Sequence, residues 1–170
     1  RSLESLINTL PPPPVTTSLR WKCQQLLGLL EVLDRAHQRG IIHRDVKLSN
    51  VLFDPLEQVL KLSDFGIARI LENYGHAARA ATLRSFYSRP YAAPEQVLGQ
   101  DTSFPADLHA FGVVAASLFA WRIPPLDFTA EHLSDFLPAP SAPGLSPELH
   151  GKLLAHLRLL LQSPPASRPR

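Results

Sequence analysis

The sequence predicts a mainly α fold of the α+β kind, helical with one small β-hairpin, and three observations predict it. Leu19, Cys23, Leu26, Leu30, Leu33 and His37 recur in alternating steps of four and three, the period of one helix face. Residues 104–120 are apolar nearly all round, as expected of a helix buried on every side. Between them, Val51 to Phe53 and Val59 to Leu62 form two short apolar runs split by Asp54-Pro55, a hairpin pattern with a five-residue connection.

Taken in order, Leu3, Leu6, Ile7 and Leu10 mark one face of a short helix over Ser2 to Leu10. Pro11 to Pro14 stop it, since four consecutive residues lack a backbone donor and favour an extended stretch. A long helix is expected from about Thr17 to Arg39, capped by Thr16, Thr17 or Ser18 and stopped by Gly40. The hairpin follows. From Ile67 to Ala92 no period holds, and so long an irregular stretch in a compact domain is usually functional or mobile. After the buried helix, a loop rich in Pro, Ala and Ser is expected over 137–147. Leu149, Leu153, Leu157, Leu160 and Leu161 predict a last amphipathic helix.

Composition bounds the rest. At 170 residues, 45% hydrophobic and 19% charged, the chain can bury a core, which excludes wholesale disorder. Net charge is only +2, with 17 Lys+Arg against 15 Asp+Glu, so no nucleic-acid partner is expected. The single Cys23 excludes a disulfide framework and suits a reducing, cytoplasmic location. The longest apolar run, Phe111 to Trp121, falls short of the roughly 20 residues of a membrane span, and no leader pattern is visible. Methionine is 0 and the chain opens at Arg1 inside a helical pattern, so the expectation is that an upstream part is missing.

Chemistry concentrates in His43-Arg44-Asp45-Val46-Lys47-Leu48-Ser49-Asn50, between a helix stop and a strand, and in Asp64-Phe65-Gly66 at the exit of the second strand. An Asp and an Asn there can share a hard cation through oxygen. A second Asp can accept a hydroxyl proton, and a Lys beside it can hold an anionic group. Cation, base and anion clamp are the parts phosphoryl transfer requires. The spacing H-R-D-x-K-x-x-N would arise by chance at about one start in a million for residues of ordinary abundance. Ala93-Pro94-Glu95 further on adds to the pattern.

With these motifs the chain resembles the C-terminal lobe of a eukaryotic-type serine/threonine protein kinase, over almost all of its length. The resemblance implies a single catalytic domain part over 1–170, with a catalytic loop at 43–50, an activation segment at 64–95 and a buried central helix at 105–120. It implies Asp45 as catalytic base, Lys47 steadying the transferred phosphoryl group, and Asn50 and Asp64 holding Mg2+ on ATP. Val51 and Leu52 would floor the adenine slot, with His43 and Phe65 as structural supports. Glu95 would form a buried ion pair with Arg168, and Asp107 would anchor the catalytic-loop backbone or cap its own helix.

Arg44, beside the base, implies pairing with a phosphorylated loop residue, and Arg69, Arg79, Arg84 and Arg89 face only Glu72 in that loop. Thr82, then Ser85, are the expected phosphosites, through an activating kinase or autophosphorylation; the alternative is that the arginines only solvate a surface loop. The family usually has Gly-Thr where this chain has Tyr87-Ser88, and Ser88 keeps the hydroxyl that would bridge Asp45 and Lys47. Leu48 replaces a frequent proline. No G-x-G-x-x-G and no V-A-I-K-like strand occur, so the residues as given should bind ATP poorly alone. The expected substrate is a protein Ser or Thr. The alternatives are a truncated, non-catalytic module that binds proteins, and a metal-dependent hydrolase using His43, Asp45 and Asp64.

Overall fold

The computed structural model describes residues 1–9, 11–12, 18–65, 88–100, 103–139 and 144–169. Helix α1 spans Leu3–Thr9 and buries Leu3 and Leu6. Its start is fastened to the hairpin: Ser2 bridges Leu52, and the Phe53 amide donates to the Arg1 carbonyl at 2.8 Å.

Helix α2, Leu19–His37, is capped by Ser18, whose hydroxyl accepts the Trp21 amide. It ends before Gly40, whose φ of 74° is the left-handed turn that glycine supplies without steric cost. The predicted stripe has the right period but marks the buried face only in part, at Leu33. Trp21, Lys22, Gln25, Leu29 and Leu33 are buried, whereas Cys23 is exposed and Leu26 and Leu30 half-buried. The physical reason is an apolar groove of about 580 Å³ between helices, which Cys23, Leu26 and Leu30 line. Both polar members of the buried face meet backbone groups of other elements. Lys22 Nζ donates to the Phe119 carbonyl at 3.1 Å, and Gln25 Oε1 accepts the Leu60 amide at 2.7 Å. Burial pushes the Lys22 ammonium down to about 8.

Strands β1 (Val51–Asp54) and β2 (Val59–Leu62) pair antiparallel, Val51 opposite Leu62 and Asp54 opposite Val59, around a turn at 55–58. The turn forms because Asp54 Oδ1 accepts the Leu56 and Glu57 amides. Two strands are marginal on their own, so packing against α2 on one side and against the start of α1 on the other holds the hairpin in place.

A four-residue helix, α3 (Pro94–Val97), precedes helix α4 (Phe104–Ala120), which is buried along almost its whole length. Short α5 (Leu133–Phe136) and long α6 (Pro147–Leu160) complete the α-helices among the described residues. Helix α4 lies between α2 and α6 and forms the centre of the core with Phe111, Val113, Val114 and Leu118. A Cβ on Gly112 would stand 2.9 Å from Leu160 Cβ, so the absence of a side chain there lets α4 and α6 approach. No helix among the described residues is long and apolar enough to cross a membrane.

Candidate active site

The catalytic-loop segment is irregular backbone up to Lys47 and closes in a single 3-10 turn over Leu48–Asn50, so side chains rather than a ladder hold it. Asp107, in the first turns of α4 and 1% exposed, accepts the His43 amide on Oδ2 and the Arg44 amide on Oδ1, both at 2.8 Å. His37, at the end of α2, meets the same Oδ2 at 2.8 Å. Three donors on one buried carboxylate offset its desolvation and fix the loop to α2 and α4 together. The cap position of α4 belongs to Ser103, so of the two roles considered for Asp107 the geometry is that of a loop anchor. Arg44 sits at φ 68°, a costly conformation for a side chain, and this anchoring sustains it.

His43 is wholly buried, and its protons can be assigned from its partners. Nδ1 accepts the Asp45 amide at 3.3 Å, so Nε2 carries the hydrogen and donates to the Ser63 carbonyl at 2.9 Å. Its ring packs on Phe65, centroids 4.5 Å apart. With both nitrogens engaged, His43 has no lone pair for a metal, which removes the hydrolase alternative that required it as a ligand.

Asp45, Lys47, Asn50 and Ser88 form one cluster. Lys47 Nζ lies 2.8 Å from Asp45 Oδ2 and donates to Ser88 Oγ at 3.0 Å. Ser88 in turn donates to Asp45 Oδ1 at 3.2 Å, so its hydroxyl bridges the two charges. Asn50 Nδ2 donates to the Asp45 carbonyl and to Oδ2. A carboxylate ringed by Lys47, Asn50 and Ser88 is held in one orientation, and one of its oxygens already takes a hydroxyl hydrogen.

Asn50 uses its amide nitrogen on Asp45, which leaves Oδ1 without a hydrogen-bond partner among the described residues. Asp64 is exposed at φ 63°, a region that short polar residues tolerate better than most, and takes the Ser63 hydroxyl on Oδ2 at 3.2 Å. The Ser63 amide and hydroxyl also reach the Asn50 carbonyl, at 2.9 and 3.0 Å. One amide oxygen and one exposed carboxylate, joined through Ser63, suit a hard divalent cation that keeps several waters.

The two residues expected to floor a nucleotide separate. Strand alternation turns Val51 into the core at 0% exposure and leaves Leu52 at 39%. Val51 is therefore corrected to a core residue, and Leu52 alone presents apolar surface. Thr82, Ser85 and Gly66, with most of the expected activation segment, lie outside the described residues, as does part of the 137–147 loop.

Behind the loop, Arg168 grips Glu95 with both terminal guanidinium nitrogens, at 2.6 and 2.8 Å, and also donates to the Gln162 and Pro105 carbonyls. Burial works to raise the Glu95 carboxyl, but the Arg168 hydrogen bonds and charge outweigh it and hold it below the usual range. His109 lies in the same surroundings. Burial first, then the Arg168 charge, push its imidazole down to about 4, although Nδ1 meets the Tyr91 carbonyl at 3.3 Å.

Sequence reasoning missed Ser63, His37 as a donor to Asp107, and Gln96, whose Oε1 accepts the Ala93 amide and whose Nε2 reaches the Arg44 carbonyl. Only Ser63 carried a signal, its place directly before Asp64.

Residues 17–135 match the protein kinase domain family. A probable serine/threonine-protein kinase PknB of Bifidobacterium longum is 36% identical over 135 residues, covering 72% of this chain and 19% of that protein. The serine/threonine-protein kinase PknA of Mycobacterium tuberculosis is 33% identical over 158 residues, covering 90% of this chain and 35% of that one. The crystal structure of the Mycobacterium tuberculosis PknI kinase domain superposes with a TM-score of 0.68 at 27% identity, over 99% of this chain and 56% of that one. The chain thus spans about half of the solved kinase domain and a smaller share of the curated relatives.

Proposed function

Because this chain belongs to the protein kinase family, we propose that it carries the catalytic-loop part of a serine/threonine kinase, which moves the γ-phosphoryl group of ATP to Ser or Thr hydroxyls of a protein. The observation that carries this reading is the Asp45–Lys47–Ser88–Asn50 cluster. Asp45 accepts the hydrogen of the incoming hydroxyl and aims its oxygen, as it now takes the Ser88 hydroxyl. Lys47 sets a positive charge beside that oxygen, where negative charge gathers during transfer. Asn50 Oδ1 and the Asp64 carboxylate are the oxygen donors suited to Mg2+, which when bound neutralises phosphate charge. Leu52 offers the apolar surface on which a base would rest. His43 and Asp107 hold the loop so that these groups need no reorganisation.

Arg44 and the expected phosphosites Thr82 and Ser85 make phosphorylation of the loop, by another kinase or by the protein itself, part of this reading. Incubating the full-length protein with γ-labelled ATP, Mg2+ and a generic protein substrate tests it. Label on phosphoserine and phosphothreonine is expected, and loss of labelling in Asp64→Ala. Absence of transfer from a folded, full-length chain, with or without an activating kinase, contradicts it.

A further inference from the structure

On α2, a glutamine occupies a position that faces the core. Gln25 is 7% exposed, and its Oε1 accepts the amide of Leu60, itself 7% exposed, at 2.7 Å. That amide lies on the edge of β2 away from β1, where a third strand would otherwise receive it. One turn earlier on the same helix, Trp21 Nε1 donates to the Gln58 carbonyl at 2.9 Å, at the turn that starts β2. The helix therefore holds the hairpin at two successive backbone groups, one carbonyl and one amide. Van der Waals packing alone would let a two-stranded hairpin slide, whereas two directional bonds set its position along the helix.

The consequence lies at the far end of β2. The strand closes at Leu62, and Ser63 and Asp64 follow directly. Ser63 joins the Asn50 carbonyl through its amide and hydroxyl, and its own carbonyl takes the His43 hydrogen bond. Asp64 thus follows β2 wherever that strand lies, and Gln25 and Trp21 hold β2 at its opposite edge.

We propose that Gln25 is a positioning residue for the divalent-cation site, acting through β2 on Asp64. The proposal rests on the kinase reading of Asn50 and Asp64. Gln25 touches neither nucleotide nor metal; it satisfies a buried amide and so fixes the strand that delivers the carboxylate.

Gln25→Met keeps the side chain's length and removes the acceptor, while Gln25→Glu keeps an acceptor in the same place. In the full-length protein, Gln25→Met is expected to raise the Mg2+ needed for half-maximal transfer by about 3- to 10-fold. That is below the 10- to 100-fold typical of groups touching a metal ligand directly. The KM for the protein substrate is expected to stay unchanged, and Gln25→Glu to restore most of the loss. Independently of activity, amide hydrogen exchange over 59–65 is expected to accelerate in Gln25→Met and to recover in Gln25→Glu. Should Gln25→Met not fold, Trp21→Phe, which deletes the indole donor together with part of the ring, is expected to give the same two changes to a smaller degree. Faster exchange with an unaltered Mg2+ requirement reduces Gln25 to a structural contact and overturns the proposal, as does unaltered exchange. A wild-type chain that transfers no phosphate overturns the kinase reading instead, and with it the metal role, while the exchange experiment still reports on the clamp.

Discussion

Asp45–Lys47 and Glu95–Arg168 are both close ion pairs, at 2.8 and 2.6 Å, yet their surroundings differ. Glu95 and Arg168 are 2% and 0% exposed, bidentate, and saturated by further carbonyls on the arginine. Asp45 and Lys47 are 8% and 23% exposed, meet at one oxygen, and share a serine hydroxyl that a second hydroxyl could displace. A closed pair has no capacity left for a ligand and serves the architecture. A half-open pair keeps oriented charge within reach of a substrate. The difference predicts that the two pairs separate cleanly under mutation, one governing stability and the other transfer.

The largest effect on folding belongs to the closed pair. Arg168→Met leaves a buried carboxylate unpaired and is expected to cost about 3–5 kcal/mol in urea unfolding. That is a large share of the total for an ordinary domain. Adding Glu95→Gln should recover part of it, because the cost lies in the stranded charge. If the single variant unfolds with the wild type, the pair is not the architectural element its burial implies.

Next comes the imidazole beside that pair. His109 titrates at about 4 when folded, against about 6.5 when unfolded. Between those values the unfolded chain binds more protons, so the stability this residue contributes is complete above pH 6.5 and is lost as pH falls toward 4. From pH 7 to 5 the loss should be about 2 kcal/mol. His109→Phe should remove that part of the pH slope, as read from urea midpoints at the two pH values.

The open pair should respond less in stability and more in turnover. Ser88→Ala removes the hydroxyl between Lys47 and Asp45, and a stability change within about 1 kcal/mol is expected. Turnover should fall about tenfold, equivalent to about 1.4 kcal/mol, and Ser88→Thr should restore it. A Ser88→Ala protein with full turnover would show that the bridge plays no part in transfer.

The two regions also differed in how far their residues could be read in advance. Three members of the cluster around Asp45 were legible because they are compressed into eight consecutive residues, and Asp64, Ser88, Glu95, Asp107 and Arg168 stand at or near recognisable motifs. The period of α2 was legible, but its buried face only in part, through Leu33. Cys23, Leu26 and Leu30 line the open apolar groove, while Lys22 and Gln25 go inside to meet backbone groups. Hydrophobicity counts side chains and is blind to a polar group buried for the sake of a distant amide. Single-turn helices such as Pro94–Val97 and Leu133–Phe136 are too short to show a period. His37 and Gln25 act across 70 and 35 residues of sequence, a pairing that no local pattern records. Val51 and Leu52 were assigned together, and strand alternation alone would have parted them.

The smallest change in stability should accompany the largest in transfer, and Asp45→Asn measures both in one protein. The substitution keeps the shape and loses a charge from a partly exposed pair, so the unfolding midpoint should move by no more than about 1 kcal/mol. Transfer of labelled phosphate from ATP by the full-length chain should fall about 10²- to 10⁴-fold, the range for loss of a positioned general base. Retained transfer in a folded Asp45→Asn protein would contradict the account.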